Sequence, residues 1–282
     1  MDGLTLLREL RPRFPHLRVV MFSTLTERGA AATLEALALG ADDYVTKASN
    51  FGSLDVSLNH LKGELIPKIR QFFTLPGPVA SPPKQLPTQH TRVRSDVIAV
   101  GISTGGPSAL ATLIPQLPGN LRVPVLIVQH MPPLFTRLLA ERLDASSPLE
   151  IREGVEGAAV EPGKVYIAPG DFHMRLARSR GGVELRLDQA PPINSCRPAV
   201  DALFSSAADI YGNTVAAAVL TGMGQDGLDG ARCLKARGSS VIVQDEASSV
   251  VWGMPGAVAG AGLADEILPL TQIANALLER TQ

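Results

Sequence analysis

The chain has 282 residues, 45% of them apolar, and a formal net charge of -1 at pH 7. That length allows two domains or one large one. The near-neutral charge argues against a general nucleic-acid binder, and no apolar run approaches the roughly 20 residues that cross a bilayer, so membrane insertion is not expected. Aromatics make up only 4%, which leaves Val, Leu, Ile and Ala to build the core, as in buried parallel sheets. The N-terminus lacks the basic-then-apolar layout of a signal peptide. Cys196 and Cys233 are neither a metal spacing nor a disulfide framework, so free thiols in a cytoplasmic protein are expected.

In chain order, Leu4, Leu6, Leu7 and Leu10 suit a short helix ended near Pro12. Leu17–Phe22 reads as a buried strand. Residues 27 to 39, rich in Ala and Leu, read as a helix stopped before Gly40. Tyr44-Val45 gives a short strand followed by Lys47. Residues 51 to 73 carry Leu54, Leu58, Leu61, Leu65 and Ile69 at helical spacing, with Pro67 expected to bend or divide the helix. The stretch LPGPVASPPKQLPTQHT (75–91) is rich in proline and poor in large apolar residues, the composition of a semi-rigid, solvated linker. The expected organisation is therefore a first part (1–73), a linker (74–94) and a second part (95–282).

The second part alternates strand and helix signals. Strands are predicted over 97–101, 123–129, 164–168, 215–221, 240–244 and 265–269, with a hairpin over 174–177 and 183–187 turning at Gly181-Gly182. Helices are predicted over 108–116, 134–143, 197–210, 228–236 and 271–280. This alternation predicts an α/β fold: a doubly wound, mainly parallel sheet with helices on both faces. Ligands in such folds bind beyond the carboxyl ends of the strands.

Three residues stand just past such ends. Ser103 lies in Gly101-Ile102-Ser103-Thr104-Gly105-Gly106, whose spacing fits G-x-S-x-G. His130 follows the second strand, in QHMP, and Asp226 lies in TGMGQDG. A serine hydroxyl needs a base to take its proton, and the base needs an orienting partner. Nucleophile Ser103, base His130 and orienting carboxylate Asp226 supply the three roles, in a chain order that the α/β-hydrolases do not use. Backbone N–H groups near Thr104 or Met223 are candidate oxyanion donors. Each residue also has a plainer reading: Ser103 in a phosphate-cradling or structural turn, His130 as a partner of backbone groups, Asp226 as a turn or helix cap. His173 is a rival base.

With PPLFTRLLAERLD (132–144), KVYIAPGDFHM (164–174), RPAVDALF (197–204) and VWGMPGAV (251–258), these segments resemble the chemotaxis protein-glutamate methylesterases of the CheB family. The resemblance spans roughly 95 to 280. It implies that Ser103, His130 and Asp226 are the triad and that Thr104 and Met223 shape the site. For Arg197 it implies substrate positioning, with a structural ion pair as the alternative. It also implies hydrolysis of glutamate γ-methyl esters on chemoreceptors with release of methanol, deamidation of receptor glutamines in some members, and no metal or cofactor. Chemotaxis receptors are the implied partners, at membrane receptor arrays. The alternatives are a phosphate-binding module and a catalytically quiet docking protein of a chemosensory array.

Residues 1 to 73 resemble the second half of a response-regulator receiver domain, a flavodoxin-like fold. Ser23 falls at its switch hydroxyl, Tyr44 at its switch aromatic and Lys47 at its phosphate-contacting lysine; Ala48 replaces the usual proline. The acidic metal ligands and the phosphoacceptor aspartate have no counterpart, and Asp2 matches a different position. Phosphotransfer from a histidine kinase is therefore not expected, and a truncated sequence or a start at an internal methionine is.

Overall fold

The structure, a computed structural model, describes residues 2–24, 26–47, 54–73 and 93–282, the stretch 54–60 as helix backbone only. The linker expected over 74–94 lies outside the described residues up to position 92, as do Ala48 and the side chains of Leu54 and Leu58. The chain divides into two compact units, Met1–Gly77 and Pro78–Gln282.

The first unit contains α1 (Gly3–Arg13), β1 (Val20–Ser23), α2 (Glu27–Ala38), β2 (Asp43–Thr46) and α3 (Leu54–Gln71). β1 and β2 pair in parallel, with Val20 opposite Asp43 and Ser23 opposite Thr46. The predicted strand begins three residues late. The Asp42 carboxylate takes the Val19 N–H at 2.8 Å and binds Arg11 and Arg18, so Val19 is spent on a side chain before the ladder starts. Asp2 caps α1 by accepting from the Thr5 N–H at 2.8 Å. α3 runs through Pro67 undivided.

The second unit follows the predicted alternation. In order it holds β3 (Val97–Ile102), α4 (Gly106–Leu113), β4 (Val125–Gln129), α5 (Pro133–Asp144), β5 (Glu150–Glu153), β6 (Lys164–Ile167), β7 (His173–Ser179) and β8 (Gly182–Asp188). Then come α6 (Val200–Tyr211), β9 (Val215–Val219), α7 (Leu228–Ala236), β10 (Ser240–Gln244), α8 (Met254–Gly260), β11 (Glu266–Leu268) and α9 (Leu270–Arg280). Seven strands form one parallel sheet in the order β11-β10-β9-β3-β4-β6-β5, while β7 and β8 form the antiparallel hairpin.

β3 to β6 build one side of the sheet. The chain then returns through the hairpin and α6 to place β9 on the other side of β3. That reversal creates the crevice at the end of β3 where open α/β sheets bind ligands. Strand side chains alternate between faces. Val97, Ala99, Leu126, Val128, Val215, Ala217, Val241 and Val243 share a core with Phe204 of α6, Leu234 of α7, Val258 of α8 and Met174 of the hairpin. On the other side α9 lies against β9 and β10, with α4 beside α9. β3, β4, β9 and all but the first residue of β10 are buried along their length, which explains their unbroken apolar runs.

Two predicted helices start or stop differently. α4 begins at Gly106 and gives way to a 3₁₀ turn over Ile114–Gln116, because Pro115 has no N–H to continue an α-helix. α6 begins at Val200 rather than Arg197, for a reason that belongs to the site.

Candidate active site

Ile102 of β3 stands opposite Gln129 of β4 in the last register pair of the two strands. Ser103 and His130 are therefore the first residues beyond two adjacent, parallel, buried strands. The His130 N–H donates to the Ile102 carbonyl at 3.2 Å, extending the pairing by one step. The Ser103 backbone is fixed on three sides. Its N–H donates to the Thr221 carbonyl at 3.0 Å, and its own carbonyl accepts from the Gly106 N–H at 2.8 Å and from Gln129 Nε2 at 3.0 Å.

Two glycines make this turn possible. Gly105 has φ +79°, where only glycine is unstrained, and a Cβ there would lie 2.6 Å from Val250. Gly222 backs directly onto the serine: a Cβ would lie 2.7 Å from Ser103 Cβ and 2.5 Å from Met254 Sδ. The TGMG segment is thus pressed against the GISTGG turn. The Thr221 hydroxyl also donates to the Thr104 carbonyl at 2.9 Å. Thr104 is buried, while Met223 is 44% exposed at the rim.

Asp226 lies at the start of α7, yet its carboxylate caps α6. Oδ2 accepts from the Val200 N–H at 2.7 Å and Oδ1 from the Asp201 N–H at 3.1 Å. Asp201 returns the contact: its Oδ1 accepts from the Gly227 N–H at 3.0 Å and the Gly230 N–H at 2.7 Å, at the start of α7. Each helix supplies the carboxylate that the other's N-terminus needs. Hence α6 begins where Asp226 takes its first N–H groups. Asp226 Oδ2 also faces His130 Nε2 at 2.8 Å. Asn194 bridges the pair, donating to Asp201 at 2.8 Å and to Asp226 at 3.4 Å.

The other ring nitrogen, His130 Nδ1, faces Cys196 Sγ at 3.6 Å. Ile193 and Cys196 exchange both backbone hydrogen bonds around Asn194 (φ 50°) and Ser195 (φ 63°), the pattern of a two-residue primed turn. That turn delivers the thiol to the histidine. Ligand atoms of His130, Cys196 and Asp226 lie within 4.8 Å of one another. The thiol and the carboxylate address opposite ring nitrogens, so the three do not converge on one point as metal ligands must.

Burial disfavours a charged imidazole, but Asp226 and Cys196 outweigh it and raise His130 from 6.5 to about 9. Burial likewise pushes the Asp226 carboxyl upward, yet the histidine and the Val200 and Asp201 N–H groups hold it below the ordinary carboxylate range. Asp201 is raised to about 6, by burial first and by the neighbouring Asp226 charge next.

The remaining predicted residues lie elsewhere. Arg197 forms an ion pair: its guanidinium binds Asp171 at 2.5 Å and the carbonyls of Gln189 and Ala190 at 3.1 Å. His173 is fully buried at the start of β7, with Nε2 on the Pro191 carbonyl at 3.2 Å. In the first unit Ser23 is buried and donates to the Gly29 carbonyl at 3.0 Å, Tyr44 is buried beneath Lys68, and Lys47 is exposed. Sequence reasoning missed Cys196, Asp201 and Asn194. The signal for Asp201 is an acidic residue in the first turn of a predicted helix; nothing local ties Cys196 to a histidine 66 positions away.

A family model described as CheB methylesterase matches residues 98–277. A protein of Trichodesmium erythraeum named protein-glutamate methylesterase/protein-glutamine glutaminase is 46% identical over 99% of this chain and 82% of its own length. A protein of the same name from a Nocardioides species is 47% identical over 99% of this chain and 79% of its own. The crystal structure of the Thermotoga maritima CheB methylesterase catalytic domain superposes with a TM-score of 0.65 at 47% identity, covering 66% of this chain and 99% of that one. With its sheet, its hairpin and the serine, histidine and aspartate just past the carboxyl ends of central strands, this chain belongs to the CheB methylesterase family.

Proposed function

We propose that this chain is a protein-glutamate methylesterase that hydrolyses glutamate γ-methyl esters on chemotaxis receptors through Ser103, His130 and Asp226. The observation that carries the reading is the division of labour on the imidazole. Asp226 engages Nε2, which leaves Nδ1 as the nitrogen able to take a proton, on a residue whose strand register sets it beside Ser103.

The Ser103 hydroxyl makes no hydrogen bond among the described residues, and such contacts often tighten only with substrate bound. As Ser103 Oγ attacks the ester carbonyl, its proton passes to His130 Nδ1, and Asp226 stabilises the imidazolium through Nε2–H. The Met223 and Gly224 N–H groups donate no hydrogen bond among the described residues. They sit on the turn that abuts Ser103 and are the proposed oxyanion donors. The imidazolium returns its proton to the departing methoxide, and methanol leaves. Water, activated by the same nitrogen, then hydrolyses the acyl-serine. With a glutamine side chain the leaving group is ammonia and the steps are unchanged, so one triad serves both activities in the relatives' names. Thr104 shapes the turn through its carbonyl, and Arg197 supports the loop carrying Cys196.

Ser23 and Lys47 stand at the same end of neighbouring strands, joined by a 2.5 Å hydrogen bond from the Lys47 N–H to the Ser23 carbonyl. This supports reading the first unit as part of a receiver, with Tyr44 as its aromatic. The aspartates with described side chains there are all engaged: Asp2 caps a helix, Asp42 binds two arginines and Asp43 binds Lys68 at 2.9 Å. That argues against any of them accepting a phosphoryl group from the array's histidine kinase. Among the described residues no helix is long and apolar enough to cross a membrane.

The test is methanol release from methylated receptor membranes by the full chain and by Ser103→Ala. The variant is expected to lose at least about 10³-fold in kcat; unchanged release would overturn Ser103 as nucleophile.

A further inference from the structure

Cys196 occupies the one place in the site where chemistry is available and unassigned. Its sulfur faces His130 Nδ1, the nitrogen that must accept the serine proton, at 3.6 Å. It is partly accessible, and the loop residues beside it, Asn194 and Ser195, are exposed. Cys196, His130 and Asp226 thus form a thiol–imidazole–carboxylate line of the kind that turns a thiol into a nucleophile. Cys233 is the contrasting case: it is exposed, with the Ser205 hydroxyl 3.9 Å from its sulfur.

We propose that Cys196 is a peroxide-reactive modification site whose oxidation to the sulfenic acid switches off the esterase by occupying the triad base. The inference rests on the triad reading above only for its effect on activity; the reactivity of the thiol stands on the geometry alone. His130 Nδ1 takes the thiol proton, and the sulfur attacks one oxygen of hydrogen peroxide. The S–O bond forms as the O–O bond breaks. Sulfur loses two electrons, the peroxide gains them, and the departing hydroxide recovers the proton from the imidazolium to leave as water. The product Cys196–SOH places a new hydroxyl against Nδ1, a stronger partner than the thiol it replaces. The nitrogen that Ser103 needs is then hydrogen-bonded elsewhere. Thiol reductants reverse the change, which they do not do for methionine sulfoxide at exposed Met223.

The experiment treats the full chain and the variants Cys196→Ala, Cys196→Ser, Cys233→Ala and Ser103→Ala with hydrogen peroxide. Methanol release is normalised to each variant's own untreated rate, and sulfenic acid is trapped with dimedone and located by mass spectrometry. The expected result is dimedone on Cys196 at least about tenfold faster than on Cys233, in line with base-assisted thiols. The unsubstituted chain and Cys233→Ala should lose most of their activity and regain it with dithiothreitol, while both Cys196 variants should keep theirs. Ser103→Ala should label at Cys196 as fast as the unsubstituted chain, which separates the thiol's reactivity from the esterase assignment. Preferential labelling of Cys233, equal loss in the Cys196 variants, or full activity in chain labelled at Cys196 would each overturn the proposal. If Ser103→Ala released methanol normally while Cys196 still labelled, the triad reading would fail and the reactive thiol would stand.

Discussion

Asp226→Asn is the substitution that separates a catalytic carboxylate from a capping one. The side chain has two oxygens, and every group facing them is a donor. His130 Nε2 and the Val200 N–H lie on Oδ2 at 2.8 and 2.7 Å. On Oδ1 lie the Gly227 and Asp201 N–H groups at 3.0 and 3.1 Å, with Asn194 Nδ2 at 3.4 Å. An amide placed there must turn its NH₂ toward one of these sets. If it faces Oδ2's partners, the imidazole is left to present the wrong tautomer and α6 loses its first cap. If it faces Oδ1's, the Asp201 N–H loses its acceptor, while Gly227 keeps the Asp201 carboxylate. Leaving one or two buried donors unpaired costs about 2–4 kcal/mol, and loss of the oriented imidazole costs on the order of 10⁴-fold in kcat. Removing the negative charge also lowers the His130 pKa, because Asp226 is one of the groups that raises it to about 9. Methanol-release kinetics, urea denaturation and the imidazole NMR titration read the three effects separately. A variant that kept more than about a tenth of kcat, or left the titration of His130 in place, would refute the assignment of Asp226 as its orienting partner.

Four further outcomes follow from the structure. His130 must be neutral to act as base, so kcat/KM should climb with pH and reach its half-maximum above 6.5, near 9. The linked stability has the opposite slope: with the folded value raised, His130's contribution is complete below 6.5 and lost as pH rises through about 9, which urea midpoints across that window would detect. Gly222→Ala should push Ser103 aside, since the new methyl lies 2.7 Å from its Cβ, and a displacement near 1 Å predicts a loss of about 10²-fold in kcat; near-normal turnover would show that the turn yields. Tyr166→Phe removes a buried hydroxyl that donates to the Ala159 carbonyl at 2.7 Å and accepts from the Glu161 N–H at 3.1 Å, and should lower unfolding free energy by about 1–3 kcal/mol.

What the sequence reveals well is whatever a local pattern determines. β3, β4, β9 and β10 are fully or almost fully buried strands, and their apolar runs announce them. Ser103 and His130 are visible because each directly follows such a run. β5 is missed because it is a charged edge strand with only Ile151 buried. α8 is missed because Met254–Gly260 is a short stretch built on proline and glycine, residues that ordinarily punctuate helices. The late start of β1 and the late start of α6 share a cause. In both, a distant carboxylate, Asp42 or Asp226, takes the first N–H groups, and no window of neighbouring residues contains that information. Cys196 is the same case in the site: its meaning depends on a turn formed by two left-handed residues and on a strand end far away in sequence.

The exchange of carboxylates between α6 and α7 explains why the triad acid is so firmly placed. A carboxylate held only by a histidine would be free to follow substrate-driven movement of the ring. Asp226 instead closes the N-terminus of α6 while Asp201 closes that of α7, so moving either carboxylate costs a helix its cap. Two buried like charges would ordinarily repel, and Asp201 answers by rising to about 6 while Asp226 is lowered. On acidification Asp201 therefore takes up a proton before Asp226 does, and the carboxylate that orients His130 stays ionised. Asn194 spans both with its amide, and the same turn carries Cys196 to the other side of the ring. The loop that reports to the helices is thus also the loop that reaches the base, which makes this turn the part of the molecule where a chemical change at one sulfur meets the catalytic nitrogen.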